Sequence, residues 1–315
     1  MERVNSACSK KIEMNIYSTI SQNKWKTYLI MVLFVLFITT LTFVFAGALG
    51  ENPLGLTGIA LIFSGVMSLG SYYYSDKIVL ATTGAHPVTE KENPNLYHTV
   101  ENLAIGAGMP MPKLYIINDP SPNAFATGRD PKHSAVAVTT GIIEILSKAE
   151  LEGVIAHELS HVKNFDTRLM AITAVLVGFV AILAELFMRN LWWGGSRRRD
   201  NENSDSRWQL ILLVAGIILA LLAPLVATLI QLAVSRKREF LADASGVLLT
   251  RYPEGLASAL EKIAVDPRPV RSASNATAHL FIVNPFKQQA AKKWLTSLFN
   301  THPPANERIK ILRSM

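Results

Sequence analysis

His157, Glu158 and His161 form a His-Glu-x-x-His pattern near the middle of the chain. Residues four apart lie on one face of a helix, so the two imidazoles could bind one metal ion, and this spacing favours Zn²⁺. Glu158 would then point towards water beside the metal and act as a general base. The pattern therefore predicts metal-dependent hydrolysis, provided that the segment is a helix.

The residues around the pattern predict such a helix. Ser147 is followed three residues later by Glu150, which is the signature of a capping box at a helix start. Beyond it, apolar residues recur at helical spacing on one side, and the two histidines and Glu158 occupy the remainder. The apolar positions are Leu151, Val154, Ile155, Leu159 and Val162.

Half of the 315 residues are apolar, and much of this excess lies in four nearly uncharged runs. Each run has about twenty residues or more, enough to cross a hydrocarbon core of about 30 Å. We therefore predict four transmembrane helices and a multi-pass protein of the cell membrane. The runs are residues 28–47, 54–74, 169–188 and 210–234.

The charges beside these runs predict an orientation. Residues 1–27 contain five basic and two acidic residues, which is typical of a cytoplasmic segment. Residues 28–74 would form a transmembrane hairpin that returns the chain to the cytoplasm. Residues 75–315 would then be the metal-binding domain, interrupted by spans three and four, with its active site facing the cytoplasm.

The loop between spans three and four opposes this orientation, because it carries five arginines and is predicted to face outwards. An alternative is that these two spans form an apolar hairpin that does not cross fully. Both arrangements keep His161 in the same compartment as the segment after residue 234. The arginines are Arg189, Arg197, Arg198, Arg199 and Arg207.

The segment after span four offers a third metal ligand. Glu239 and Asp243 are four apart, so they share a helical face. One carboxylate could bind the metal, while the other accepts the second ring N–H of a ligating histidine. The alternative is that Arg236, Lys237 and Arg238 are interfacial anchors and that Glu239 is merely their ion-pair partner.

Composition argues against several other functions. The chain has a net charge of +7, but its sequence contains no nucleic-acid recognition motif. We therefore attribute the basic residues to membrane topology and expect no nucleic-acid partner. Cys8 is the only cysteine, which excludes an internal disulfide. Neither a Gly-x-Ser-x-Gly nucleophile motif nor a phosphate-binding loop is present. A transporter would need more ionisable residues within the spans than Glu185.

Short elements precede the metal-binding helix. Residues 95–107 have apolar positions at helical spacing and are followed by Gly108 and Pro110. Residues 113–118 and 135–139 are β-branched runs, and residues 123–128 lie between them, bounded by turn formers. We expect a helix followed by a small antiparallel sheet.

The chain contains several short motifs whose sequences and order resemble those of the HtpX-like integral-membrane zinc metalloproteases. This family is related to the CAAX-processing and mitochondrial quality-control proteases of the gluzincin clan. The resemblance covers about residues 93–310. The amino-terminal segment of about twenty residues is longer than the usual start of the family. The motifs lie within residues 123–128, 140–143, 157–166, 235–243, 279–285 and 301–309.

The resemblance implies an α+β zincin-like domain, mainly helical with a small antiparallel sheet, combined with the four predicted spans. It implies one Zn²⁺ per chain, held by His157, His161 and Glu239, with Glu158 as catalytic base. Asp166 and Asp243 are expected behind the ligands. This agrees with the ligands derived above from spacing.

The resemblance also implies a substrate site. An extended peptide would pair with the edge strand formed by Asn123, Ala124, Phe125, Ala126 and Thr127, using mainly backbone hydrogen bonds. An ordinary sheet strand is the alternative for this segment. His302 and Arg308 are candidates to stabilise charge on the peptide carbonyl oxygen or to regulate the site.

We therefore predict a membrane-bound zinc endopeptidase that cleaves misfolded or membrane proteins at the cytoplasmic face. Its partners would be protein or peptide substrates and the lipid bilayer. A protease of the CAAX-processing type is one alternative. A non-catalytic, zinc-stabilised membrane scaffold is another, although structural zinc usually fills all four positions with protein groups. The oligomeric state stays open.

Overall fold

The structure is a computed structural model that describes residues 2–49, 53–194, 236–286 and 303–315. The chain opens with two long helices, α1 (Glu2–Leu49) and α2 (Pro53–Thr82). Their sections Ile20–Phe43 and Leu54–Thr82 are long and apolar enough to cross a membrane. The second predicted span, residues 54–74, falls within the second section, whereas the first, residues 28–47, extends four residues beyond Phe43 but stays within α1. Because α1 also includes residues 2–27, the amino-terminal segment and the first span form one helix.

The surface of α1 and α2 is suited to lipid. Most of the large apolar side chains that the structure exposes lie on these two helices, including Val32, Leu36, Ile59, Ile62 and Val66. In water such a surface would be costly, since burying apolar area gives about 25 cal/mol per Å². A bilayer removes that cost.

The other two predicted spans have less support. Residues 169–188 lie within α6 (Asp166–Gly194), which follows α5 (Lys148–Lys163) after a bend of 82°. Within the described ranges, α6 qualifies as part of a span only when it is joined to α5. Residues 210–234 lie outside the described residues. Four crossings therefore stay a prediction.

The sheet has four strands in the order β1-β2-β4-β3. β2 (Lys113–Ile117) pairs in parallel with β4 (His133–Thr139), whereas β1 (Ala85–Pro87) and β3 (Ala124–Asp130) pair antiparallel with their neighbours. The expectation of a purely antiparallel sheet is therefore wrong. The chain reverses after β2 and again after β3, so β4 runs in the same direction as β2, and its insertion between β2 and β3 makes the two parallel neighbours. The alternation of side chains along a strand does not encode this order.

Helices enclose the sheet and complete a domain that is mainly helical. α3 (Pro94–Ala107) ends at Gly108, whose φ of 67° lies in the left-handed region that glycine favours. α4 (Thr140–Ile145) leads from β4 towards α5. α7 (Arg236–Thr250), α8 (Pro253–Val265) and α9 (Ala305–Leu312) follow.

α5 lies at the centre of the domain. It packs against β3, α7 and α8, and its apolar residues Leu151, Val154, Ile155, Leu159 and Val162 belong to the main core. The predicted capping box is present at its start: the Ser147 hydroxyl accepts from the Glu150 N–H, and Glu150 accepts from the Ser147 N–H. α5 is thus held at a defined position, which is what a metal-binding helix needs.

Candidate metal centre

Three side chains from two helices converge beside the core. His157 and His161 extend from one face of α5, with their Nε2 atoms 3.1 Å apart. Glu239 reaches them from α7, with its carboxylate oxygens 3.8 Å from His157 Nε2 and 3.5 Å from His161 Nε2. One ligand atom from each residue lies within 4.8 Å of the others, so the three could hold one metal ion.

A carboxylate stands behind each histidine. Asp243 Oδ1 lies 2.9 Å from His157 Nδ1, and Asp166 Oδ2 lies 3.0 Å from His161 Nδ1. A proton on each Nδ1 can therefore be donated to a carboxylate, which leaves the Nε2 lone pair for a metal. Both aspartates therefore lie behind the two histidines, and their role in supporting metal ligands stays a prediction.

Glu158 is also buried on α5, directly after His157. Its negative charge contributes to raising the pKa of His161 and Arg308, which places its carboxylate in the same electrostatic environment as the three convergent residues. It is not one of the three side chains that converge on a common point. The role of Glu158 as the catalytic base stays a prediction.

Arg308 of α9 binds both carboxylate oxygens of Asp243, including Oδ1, which also faces His157. Its Nε and Nη2 donate to the two carboxylate oxygens at 2.8 and 2.6 Å, and its Nη1 donates to the Ile282 carbonyl at 3.1 Å. Nη2 also lies 3.4 Å from the His157 ring nitrogens. Nη1 also lies 3.6 Å from a carboxylate oxygen of Glu239, so the guanidinium lies beside the candidate metal centre, and its role towards a substrate carbonyl or in regulation stays a prediction.

The charges give the two histidines different pKa values. Burial and the positive charge of Arg308 lower the pKa of His157 to about 4. Burial alone would lower the pKa of His161, but the charge of Glu239 and the hydrogen bond to Asp166 outweigh it and raise that pKa to about 9. His157 is therefore neutral at pH 7, whereas His161 carries a proton that an incoming metal must displace.

Two backbone features that the sequence analysis missed bring these groups together. A side chain at Gly246 would begin 3.0 Å from the His157 backbone nitrogen, so glycine allows α7 to approach α5 closely. Gly246 lies three residues after Asp243 and seven after Glu239, so it shares their helical face, and this spacing could have indicated its position beside the site. Phe165 adopts a left-handed φ of 60° between α5 and α6, where the chain turns and carries Asp166 back towards His161.

The predicted substrate strand lies at an edge of the sheet but is covered. Asn123, Ala124, Phe125, Ala126 and Thr127 are all buried. The Phe125 ring packs against Phe281 with ring centroids 5.2 Å apart, and both rings belong to a buried apolar cluster. His302, the other candidate to stabilise the carbonyl oxygen or to regulate the site, lies outside the described residues.

A segment of the same chain pairs with this edge. Ile282 N–H donates to the Ala124 carbonyl at 3.0 Å, and the Asn123 side-chain amide donates to the Val283 carbonyl at 2.9 Å. Alternate residues of a strand point their backbone groups to opposite sides, so those of Ala126 point the same way as those of Ala124, away from β4. Within the described residues, no group outside the sheet bonds to the Ala126 backbone.

A buried site of two helical histidines and a glutamate from a second helix, with a further glutamate beside them, is that of a metallopeptidase. Residues 90–315 match the model of peptidase family M48. The chain therefore belongs to peptidase family M48, and the prediction of an HtpX-like metalloprotease is confirmed.

Two similar relatives cover nearly the whole chain. The Protease HtpX homolog of Caldanaerobacter subterraneus subsp. tengcongensis is 45% identical over 302 residues, which are 95% of this chain and 98% of the relative. That of Dictyoglomus turgidum is 48% identical over 301 residues, 95% of this chain and 94% of the relative. The chain is also similar in fold to the crystal structure of S. mikatae Ste24p, with a TM-score of 0.47 and 18% sequence identity. This match covers 95% of this chain and 67% of the Ste24p chain.

Proposed function

We propose that this metallopeptidase is a zinc endopeptidase that cleaves misfolded or membrane proteins at the cytoplasmic face of the cell membrane, in protein quality control. The observation that carries the proposal is the convergence of His157, His161 and Glu239 beside Glu158. Two neutral imidazoles and one carboxylate suit Zn²⁺ and leave a position for substrate or water. We propose one zinc ion per chain.

Each protein group has a separate task in this reaction. Zinc, when bound, would polarise the peptide carbonyl and lower the pKa of water. Glu158 accepts the proton of the attacking water and passes it to the leaving amine. Asp243 and Asp166 hold the Nδ1 protons of His157 and His161 and thereby keep both rings in the ligating orientation.

The substrate would bind as an extended strand beside β3. Ala126 offers one backbone donor and one acceptor on the side facing away from β4. Because Ala126 is buried and Ala124 already pairs with Ile282, the chain that covers this edge must move before a peptide can pair there. Backbone pairing of this kind tolerates many side chains, which suits the cleavage of misfolded proteins.

The substitution Glu158→Gln tests the catalytic proposal. It removes the base but no proposed ligand, so purified protein should keep about one zinc per chain and lose casein hydrolysis by at least a hundredfold. Glu152→Gln, a substitution of another glutamate on α5, is the matched control and should digest casein as the wild type does. Wild-type protein that binds zinc but digests nothing would favour the scaffold alternative. Digestion by Glu158→Gln at the wild-type rate would reject the role of Glu158.

The cytoplasmic orientation requires its own experiment. In a Cys8→Ser background, Lys132→Cys would place a thiol on the exposed loop between β3 and β4, and Asn52→Cys would place one between α1 and α2. A membrane-impermeant thiol reagent added to intact cells should label the second variant and not the first. The reverse pattern would place the active site outside the cell.

A further inference from the structure

Asn23 connects the amino-terminal helix to the candidate metal centre. It lies on α1, outside residues 90–315 that match the family model, and its side chain is 1% exposed. Its Nδ2 donates to Asp166 Oδ1 at 2.6 Å and to the Asn164 carbonyl at 2.9 Å. Asn23 therefore donates both of its amide hydrogens to the turn that joins α5 to α6.

Asp166 passes this contact on to the metal site. One of its oxygens, Oδ1, accepts from Asn23, while the other, Oδ2, lies 3.0 Å from His161 Nδ1. A carboxylate held at both oxygens cannot rotate freely, so Asn23, together with Arg238 Nη1 at 3.6 Å from the same oxygen, restrains the carboxylate that faces His161. This relay crosses 143 residues of sequence between Asn23 and Asp166.

A second contact of Asn23 reaches the helix that carries Glu239. Asn23 Oδ1 accepts from Arg238 Nη1 at 2.8 Å, and Arg238 precedes Glu239 on α7. The next residue of α1 supports the same turn, because Lys24 Nζ lies 4.7 Å from the centre of the Phe165 ring. One short stretch of α1 thus contacts α7, which carries Glu239, and the turn directly after α5, the helix that carries both histidines.

We propose that Asn23 is a positioning residue of the metal centre, which orients Asp166 and, through it, His161. The inference rests on the proposed function of His161 as a zinc ligand. It gives the amino-terminal segment, to which the sequence assigned no role beyond membrane orientation, a part in catalysis. Loss of a group that supports a metal ligand typically weakens metal binding by about ten- to hundredfold. Asn23 acts one contact further away, so we expect a loss of about three- to tenfold.

The test must separate positioning from helix packing, because any buried contact of α1 stabilises the fold. Asn23→Ala and Asn23→Leu both remove the amide, and leucine retains most of the side-chain volume. Thr27→Val is the matched control: Thr27 is buried one turn further along α1, and its hydroxyl donates only to the Asn23 carbonyl within the same helix. Each purified protein is assayed for zinc affinity by chelator competition, for its unfolding temperature, and for the visible absorption of the Co²⁺-substituted form.

The two Asn23 variants should bind zinc about three- to tenfold more weakly and change the Co²⁺ absorption, which reports the geometry of the ligands. Their kcat should fall while KM stays near the wild-type value. Thr27→Val should match the wild type in zinc affinity and in Co²⁺ absorption. These results together would support a positioning role.

Other results would overturn the inference. If the Asn23 variants lower only the unfolding temperature and keep the wild-type zinc affinity and Co²⁺ absorption, Asn23 is a packing residue. The same conclusion follows if Thr27→Val loses as much zinc affinity, or if neither Asn23 variant folds whereas Thr27→Val does. Failure of the proposed function looks different: wild-type protein would bind no zinc, or His161→Ala would retain it fully.

Discussion

Arg308 clasps Asp243 through two parallel hydrogen bonds, of 2.8 and 2.6 Å, although 65 residues separate them in the sequence. The charge of Arg308 and the hydrogen bond from His157 hold the pKa of the Asp243 carboxyl at about 2, although its burial acts in the opposite direction. Asp243 therefore remains an acceptor for His157 Nδ1 at any physiological pH. Through this pair, the last helix of the chain supports a proposed zinc ligand.

The Arg308–Asp243 pair predicts that either partner is needed for tight zinc binding. Asp243→Ala removes the acceptor behind His157, and Arg308→Met leaves Asp243 as a buried, uncompensated charge. We expect each to weaken zinc binding about tenfold or more, measured by chelator competition. Arg313→Met, at an exposed arginine just after α9, is the control and should bind zinc normally. Wild-type zinc affinity in Asp243→Ala would show that His157 needs no such support.

The ligand set makes a stronger prediction. Glu239→Ala, His157→Ala and His161→Ala should each lose stoichiometric zinc, because two remaining ligands cannot hold the ion tightly. Metal analysis of the purified proteins measures this directly, and Glu254→Ala serves as a control at an exposed glutamate. Full zinc content together with full activity in Glu239→Ala would require another third ligand.

Glu150 makes the stability of the α5 start depend on pH. Partial burial would raise the pKa of its carboxyl, but hydrogen bonds from Lys262, Ser258 and the Ser147 N–H lower it to about 2. Because the pKa in the folded protein lies below the ordinary glutamate pKa of 4.5, the stabilisation is complete above pH 4.5 and disappears as the pH falls towards 2. It amounts to about 1–2 kcal/mol, since half-exposed Lys262 is screened by solvent.

The substitution Glu150→Gln tests this dependence. At pH 7 the variant should unfold at a temperature several degrees below that of the wild type, and the gap should close as the pH is lowered from 4.5 towards 2. Thermal unfolding in detergent at a series of pH values measures the gap. Glu152→Gln should unfold like the wild type throughout. A gap that stays constant down to pH 2 would contradict the assigned partners of Glu150.

The edge-strand proposal predicts a defect confined to substrate binding. Ala126→Pro removes the backbone N–H that points away from β4 and leaves the hydrogen bonds to β4 in place. We expect KM to rise severalfold with zinc content unchanged. Ala126→Gly also alters the side chain but keeps the N–H, so its KM should stay near the wild-type value. Equal KM values for the two variants would mean that substrate does not pair at Ala126.

The sequence by itself was sufficient for features that depend on neighbouring residues. The capping box at Ser147 and Glu150, the helix with its two histidines on one face, and the end of α3 at Gly108 all follow from interactions within a few residues, and the structure contains them. The two amino-terminal apolar helices are of the same kind, because length and hydropathy decide whether a helix can span a bilayer. Even Glu239 and Asp243 could be proposed from their spacing of four.

Only the tertiary structure decided what depends on residues far apart in the chain. The insertion of β4 between β2 and β3 made the sheet mixed, and the strand patterns were compatible with either order. Arg308 could be suspected near the metal, but its partner Asp243 became clear only when α7 and α9 were packed together. Asn23 gave no signal in the sequence, because a single amide in a helix acquires its role from Asp166, 143 residues later. Local interactions act before the chain is folded, whereas these contacts exist only once distant helices have been brought together.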